Sequence, residues 1–296
     1  MNRPLSPQEM YPAGVAGVAT RMIALDTGVQ LRVAESGPAT GEPVVLLHGW
    51  TASLYMYRHV LALLPSSGLR VLAPDLRGFG LADKPVTPDA YTLDAYLADT
   101  AALLDALRLD RVALVGQSMG GGIALQFALR MPARLTRLVL INPTGLAPVS
   151  YVALLRLVPR ELVSALGSRV IPRALVDFIL RRIAYSDASL VADRDVDEYW
   201  APTLLPGFVR AASCALSEFS WDPASAAELE RLAVPSVVIL GRQDRLVRGA
   251  NQAAERIRGA EIHTFDGGHC VHEEHPREVC ELIARSLRES PHAGSR

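Results

Sequence analysis

The sequence predicts an α/β fold, in which a mostly parallel sheet of eight strands carries helices on both faces. Short apolar runs indicate the buried strands, and a glycine or a proline follows each of them closely, as expected where a strand enters a turn. The runs do not alternate with polar residues, which is typical of parallel strands covered on both faces. They are residues 44–47, 71–73, 112–115, 138–141 and 237–240.

Three more strands and the intervening helices complete the pattern. Residues 20–25 and 29–34 flank a short turn that contains Gly28, which predicts an antiparallel hairpin at one edge of the sheet. Residues 261–265 are predicted to form the last strand. Between strands, apolar residues at spacings of three and four predict helices, as in residues 93–107. Strands that alternate with helices predict right-handed crossover connections.

Residues 145–232 interrupt this alternation. Helical patterns at residues 152–166 and 173–183 lie among scattered aromatic residues, and no run in the segment predicts a strand. We therefore expect a core domain made of residues 1–144 and 233–296, with residues 145–232 inserted after the sixth strand as a helical cap.

Composition and charge argue against several functional classes. The 296 residues include 30 basic and 31 acidic side chains, and a net charge of −1 gives no basic surplus for a nucleic-acid partner. The three cysteines form no Cys-x-x-Cys pair, which predicts reduced thiols in a cytoplasmic protein. A polar N-terminus and the lack of a long apolar run predict neither a signal peptide nor a membrane span. These features leave the oligomeric state open.

Ser118 is the predicted nucleophile. Gly116-Gln117-Ser118-Met119-Gly120 lies between a predicted strand and a predicted helix, which is the setting of a nucleophile elbow. The turn must be sharp to present the hydroxyl group, and side chains larger than glycine would collide on either side of the serine. The following helix directs its amides toward the serine, where an oxyanion would form.

Two backbone amides are predicted to form the oxyanion hole. One belongs to Met119, directly after the nucleophile, and the other to Trp50, in the loop after the strand at residues 44–47. Gly49 allows this loop to approach the nucleophile closely. His48 is interpreted as a structural residue that holds the loop.

Asp244 is the predicted catalytic acid, because it follows a buried strand at the sheet edge where ligands bind in such folds. It would orient a histidine and stabilise the imidazolium form. His269 is the predicted base, because it alone among the histidines follows a Gly-Gly loop at the end of a predicted strand. The competing histidines are His48, His59, His263, His272, His275 and His292.

The residues around His269 also allow a metal-site interpretation. His272, Glu273, Glu274 and His275 supply ligand types that zinc accepts. No His-Glu-x-x-His helix is present, and a serine nucleophile needs no metal. We therefore predict no metal and no other cofactor.

Taken in order, these motifs resemble the α/β-hydrolase superfamily, and in particular its cap-bearing branch of esterases, C–C hydrolases, dehalogenases and epoxide hydrolases. The resemblance implies an α/β-hydrolase fold and a triad in the order nucleophile, acid, histidine. Dehalogenases and epoxide hydrolases of this branch carry aspartate where this chain has Ser118, so the serine favours acyl or C–C bond hydrolysis. The matching segments are residues 48–50, 75–80, 84–85, 116–121, 241–244 and 268–276.

The predicted function is that of a carboxylesterase-like serine hydrolase, which cleaves an ester of an apolar small molecule through an acyl-enzyme. Apolar and aromatic residues in the predicted cap indicate an apolar group on the substrate. The predicted substrate contacts are Trp50, Phe178, Trp200 and Trp221.

Two alternatives remain open. A C–C hydrolase of vinylogous diketones from aromatic ring cleavage resembles this chain in its Ser-Met-Gly-Gly elbow. Its substrates carry carboxylates, so arginines that face the pocket would favour this alternative. A receptor-like binding protein with a slow triad is the other. The candidate arginines for the first alternative are Arg156, Arg160, Arg169, Arg173, Arg181 and Arg182.

Overall fold

A computed structural model describes residues 3–149, 152, 155–156 and 171–288 of the chain. Eight strands form one sheet in the spatial order β1-β2-β4-β3-β5-β6-β7-β8. The pairs β1–β2 and β2–β4 are antiparallel, and all the other neighbouring pairs are parallel. The predicted fold class is therefore confirmed. The strands are β1 (Val18–Ala24), β2 (Gln30–Ser36), β3 (Pro43–Leu47), β4 (Arg70–Pro74), β5 (Val112–Gln117), β6 (Leu135–Ile141), β7 (Ser236–Gly241) and β8 (Glu261–Phe265).

The described α-helices lie between these strands and after the last of them. They are α1 (Arg58–Leu63), α2 (Leu93–Ala106), α3 (Met119–Arg130), α4 (Arg173–Ile179), α5 (Asp193–Trp200), α6 (Phe208–Glu218), α7 (Ala226–Glu230), α8 (Ala250–Ala254), α9 (Val271–Glu274) and α10 (Pro276–Arg288). A π-helical turn, Leu180–Ala184, continues α4. No described helix is both long and apolar enough to span a bilayer.

The inner strands β2 to β7 are buried on both faces, because successive residues along them enter different cores. In β3, Val45 and Leu47 pack in the core that contains residues of α2 and α3, whereas Val44 and Leu46 pack in the core that contains residues of α1 and α10. Each of these four side chains is at most 1% exposed. This two-sided burial explains why the strands appear in the sequence as unbroken apolar runs.

The regular secondary structure described in the segment between β6 and β7 is helical. It contains α4 to α7, and no strand is found among its described residues. The predicted helix at residues 173–183 corresponds to α4 and its π-helical turn, whereas the predicted helix at residues 152–166 lies largely outside the described residues. The division of the chain at residues 145 and 232 stays a prediction.

Candidate active site

Ser118 occupies a strained turn between β5 and α3. Its φ angle of 53° and ψ angle of −118° are unusual for a residue with a side chain. A Cβ atom on Gly116 would lie 2.2 Å from the Gly120 carbonyl oxygen, and a Cβ atom on Gly120 would lie 2.1 Å from the Leu47 carbonyl oxygen. Only glycine fits at these two positions, so the turn can close and leave the serine at the end of the strand.

The segment that follows β6 holds the backbone of Ser118. The Ser118 amide donates to the Ile141 carbonyl at 3.1 Å. The Ser118 carbonyl in turn accepts from the amide of Thr144 at 3.0 Å and from its hydroxyl at 3.1 Å. Sequence inspection did not identify these contacts, because they join residues that are far apart in the chain.

The predicted oxyanion loop lies against the nucleophile. A Cβ atom on Gly49 would lie 3.2 Å from Ser118 Cβ and 2.5 Å from the Gln117 side-chain oxygen, so a larger residue would have to displace Gln117 or the loop. His48 is fully buried, its Nε2 accepts from the Leu76 amide at 2.8 Å, and its Nδ1 lies 2.8 Å from the Gly49 carbonyl. Burial lowers the pKa of His48, so the ring is neutral and holds the loop as a structural residue.

Asp244 and His269 lie together at the carboxyl edge of the sheet. The Asp244 Oδ2 atom accepts from His269 Nδ1 at 2.8 Å, and both residues are buried. Asp244 Oδ1 accepts from the amides of Leu246 at 2.7 Å and Val247 at 3.1 Å. These bonds fix the carboxylate, so that its other oxygen holds the imidazole through Nδ1.

Ser118 and His269 line one cavity of about 390 Å³. Trp50 also lines this cavity. The rest of the cavity wall is largely aliphatic and includes Cys270. None of the described lining residues is an arginine, lysine, aspartate or glutamate. The described lining is Gly49, Trp50, Thr51, Ala52, Met56, Gln117, Ser118, Leu155, Ile179, Leu180, Ile183, Ala184, Tyr199, Leu246, His269 and Cys270.

Three of the predicted substrate contacts are not among these described lining residues. Phe178 is 55% exposed, and Trp200 turns its indole N–H to the Ile171 carbonyl at 2.8 Å. Trp221 packs edge-on behind Trp50, with ring centroids 6.1 Å apart. Of the four, only Trp50 stays a proposed contact. A sequence signal for this part of the wall is the four-residue spacing of Ile179, at the end of α4, and Ile183, in the π-helical turn, because residues four apart share a helical face.

The comparisons with known proteins assign the family. The sequence profile of the α/β hydrolase fold family matches residues 42–276. The chain belongs to this family.

This hydrolase is similar over most of its length to enzymes with different substrates. A 2-hydroxy-6-oxo-2,4-heptadienoate hydrolase of Pseudomonas putida is 31% identical over 280 residues, which cover 89% of this chain and 94% of that enzyme. A haloalkane dehalogenase of Psychrobacter cryohalolentis is 26% identical over 288 residues, or 90% of each chain. The structure of a meta-cleavage product hydrolase from Pseudomonas fluorescens IP01 superposes with a TM-score of 0.78 at 25% identity, covering 92% of this hydrolase and 98% of that chain.

The residues considered for a metal site make other contacts within the hydrolase. Glu273 pairs with Arg58 and accepts from the Tyr199 hydroxyl at 2.6 Å, and Glu274 accepts from the Gly268 amide at 2.6 Å. His272 is fully buried and its ring is tilted against that of Tyr57. Within the described part of the chain, no group of three or more such side chains could hold a metal ion.

His272 should make the hydrolase sensitive to acid. Neither ring nitrogen has a hydrogen-bond partner among the described residues, and burial lowers the pKa of this histidine from 6.5 to about 4. Because the pKa of His272 is lower in the folded state, this histidine should cost no stability above pH 6.5. The free energy of unfolding should then fall as the pH decreases from 6.5 toward 4. Replacing His272 with leucine should remove about 2–3 kcal/mol of the loss in unfolding free energy between about pH 7.5 and about pH 4.5.

Urea unfolding at a series of pH values measures this effect. Burial also lowers the pKa values of His48 and His59, so the His272→Leu variant should keep part of the acid sensitivity. A His263→Leu variant, which removes a part-exposed histidine, is the matched control. If the unfolding free energy of His272→Leu fell with pH as steeply as that of the wild type, the protonation of His272 would not contribute to the acid sensitivity.

Proposed function

We propose that this protein is a serine hydrolase that cleaves a carboxylic ester of an apolar small molecule through an acyl-enzyme. The observation that carries the proposal is the cavity itself. A serine on a strained elbow and a histidine held by a buried aspartate both line it, and the rest of its described wall is mostly apolar and carries no charged side chain. In this proposal Ser118 is the nucleophile, His269 the base and Asp244 the residue that orients the base.

The proposed reaction has two halves. His269 Nε2 takes the proton of Ser118 as its hydroxyl attacks the carbonyl carbon, and the backbone amides of Trp50 and Met119 receive the oxyanion. His269 then donates that proton to the departing alcohol. In the second half His269 activates a water molecule, which attacks the acyl-enzyme and releases the acid. Asp244 stays ionised and stabilises the imidazolium in both halves.

The cavity wall supports an apolar group on the substrate. Leu155, Ile179, Leu180, Ile183 and Leu246 contribute aliphatic surface, and burial of each substrate methylene against such a surface stabilises by about 0.8 kcal/mol. A carboxylate placed there would lose its hydration without gaining a charged partner among the described lining residues. This contrast favours an uncharged ester.

A C–C hydrolase is the second candidate, and it is supported by the likeness to the heptadienoate hydrolase and the meta-cleavage product hydrolase. A dienoate carries a carboxylate, for which an arginine would be the expected partner. Arg173 pairs with Asp197, Arg181 pairs with Asp177, and Arg156 donates to main-chain carbonyls such as that of Leu216.

None of the candidate arginines within the described residues lines the cavity. Arg182 is exposed, and it does not line the cavity either. Arg160 and Arg169 lie outside the described residues. The described cavity wall thus favours the ester as substrate. The similarity to C–C hydrolases is the reason to test a dienoate beside it.

A substrate panel distinguishes the two candidates. We expect p-nitrophenyl acetate, butyrate and octanoate to be hydrolysed, with kcat/KM rising about threefold to fourfold for each methylene that enters the cavity. The 2-hydroxy-6-oxo-2,4-heptadienoate substrate should be cleaved far less efficiently. A larger kcat/KM for the dienoate than for any ester would favour the C–C hydrolase. Tight binding of an ester without turnover would instead support the receptor-like protein.

A further inference from the structure

The segment directly after β6 connects all three loops of the proposed triad. Ile141 and Thr144 hold the backbone of Ser118, as described above. Between them, the Asn142 amide donates to the Ile239 carbonyl of β7 at 2.9 Å. Asn142 itself is 1% exposed and is not among the described residues that line the cavity. A polar side chain buried at this point must have partners in the fold.

The Asn142 side chain has three partners, two in the loop of the proposed base and one at the end of the strand that precedes the proposed acid. Its Nδ2 group donates to the Gly268 carbonyl at 3.0 Å and to the His269 carbonyl at 3.0 Å. Its Oδ1 atom accepts from the Gly241 amide at 2.8 Å. Gly241 is the last residue of β7, three positions before Asp244 in the chain. One amide group therefore ties the end of the acid strand to the backbone of the histidine.

Asparagine suits this position for two reasons. The site needs two N–H donors and one acceptor on a short planar group, which is the inventory of a carboxamide. The backbone adopts a φ angle of 39°, a region that asparagine, aspartate and glycine reach more easily than other residues. An aspartate would supply the acceptor but would set an oxygen against two carbonyl oxygens.

We propose that Asn142 is a positioning residue for the triad, which fixes the His269 backbone relative to Asp244 and Ser118. This inference rests on the proposed function, because it assigns Asn142 a role only if His269 is the base. The Gln117 side chain assists, since it also donates to the His269 carbonyl at 3.1 Å. With its carbonyl held by two amides and its ring by Asp244, His269 keeps one orientation toward the nucleophile.

Two variants test the proposal. Asn142→Asp keeps the shape and the accessible backbone region but removes both donors, and Asn142→Gly removes the side chain without backbone strain. Asn251→Asp makes the same chemical change at an exposed position in α8 and is the matched control. A fluorophosphonate probe that labels an activated serine reports the triad directly, without knowledge of the substrate.

We expect both Asn142 variants to react with the probe about 10- to 100-fold more slowly per folded molecule, because a small misplacement of a reacting group has a cost of this size. The ester kcat should fall by a similar factor, whereas KM should change less than about threefold, because Asn142 does not contact the cavity. Folded fraction is measured by urea unfolding, so that a loss of stability alone cannot imitate the result. Asn251→Asp should behave as the wild type.

The failure of this inference differs from the failure of the proposed function. Labelling of both Asn142 variants at the wild-type rate, with wild-type labelling on Ser118, would overturn the positioning role and leave the serine hydrolase intact. Absence of labelling in the wild-type protein would overturn the proposed function, and the role of Asn142 with it. A parallel rise in KM with unchanged kcat would also contradict positioning, because it would place Asn142 in substrate binding.

Discussion

Replacing Ser118 with alanine should lower kcat on the best p-nitrophenyl ester by about 10⁴- to 10⁶-fold. The change removes the only atom that forms the acyl-enzyme in the proposed mechanism, and no other serine or threonine hydroxyl occupies the elbow. The residual rate should come from the oxyanion donors and from substrate binding. Initial rates and a pre-steady-state burst of p-nitrophenol measure the effect, and the burst should vanish.

A second buried serine gives the matched control. Ser286 in α10 is 1% exposed and donates to the Ile283 carbonyl at 2.8 Å, away from the cavity. Its replacement by alanine should cost about 1 kcal/mol of stability and leave kcat unchanged. If Ser118→Ala kept the wild-type kcat while Ser286→Ala also did, Ser118 would not be the nucleophile.

The His269→Ala variant extends this prediction. In the proposed mechanism His269 moves the proton of Ser118 and then that of the attacking water, so its loss should cost nearly as much as the loss of the serine. The double variant should therefore be little slower than either single variant. If the double variant instead lost activity by the product of the two single losses, the two side chains would act independently. That result would contradict the proposal that Ser118 and His269, which line the same cavity, act as one unit.

The fold could be predicted from the sequence because each strand carries its own local signal. Every predicted strand is present, including the hairpin of β1 and β2. Two-sided burial imposes unbroken apolar runs on the inner strands, and glycine or proline follows at the turns. The signal for the strained turn at Ser118 is equally local, because a Cβ atom on Gly116 or on Gly120 would collide with the backbone there. Such signals need no knowledge of the tertiary structure.

The contacts between distant segments had no such signal. Asn142 follows an apolar run and precedes Pro143, so in the sequence it resembles an ordinary turn residue. Its partners at Gly241, Gly268 and His269 become neighbours only when β6, β7 and the histidine loop assemble. The cavity wall was predicted from the aromatic composition of the segment between β6 and β7 rather than from the spacing of Ile179 and Ile183. A helix rotation of one residue exchanges the exposed Phe178 for the lining Ile179, and composition cannot fix that rotation.

The contact between α1, α5 and α9 also joins distant segments, and it centres on a buried arginine. The Arg58 side chain is 12% exposed and pairs with Asp195 of α5 and with Glu273 of α9, whose side chains are 7% and 0% exposed. Arg58 lies 4.5 Å over the Tyr55 ring, and the Tyr55 hydroxyl donates to Asp195 at 2.6 Å. Burial alone would raise the pKa of Glu273, but Arg58 reverses this, and the carboxyl pKa lies below its ordinary value.

Replacing Arg58 with methionine should destabilise the protein by about 3–5 kcal/mol at neutral pH, because it leaves two buried carboxylates without their cation. The double variant Arg58→Met with Glu273→Gln should be more stable than Arg58→Met alone. Its amide can still accept from the Tyr199 hydroxyl, and it carries no charge to desolvate. Urea unfolding at constant pH measures both differences.

The dependence on pH separates this explanation from a simple loss of packing. Without Arg58, burial should raise the folded pKa of Glu273 above its unfolded value. The stability deficit relative to the wild type should therefore shrink as the pH falls toward the ordinary pKa of a glutamate carboxyl. Arg130→Met, which removes an exposed partner of Asp94, should cost less than about 1 kcal/mol at any pH. A deficit in Arg58→Met that stays constant with pH, and that Glu273→Gln does not relieve, would mean that the arginine stabilises through its aliphatic contacts. In that case the three helices would be joined by packing rather than by charge.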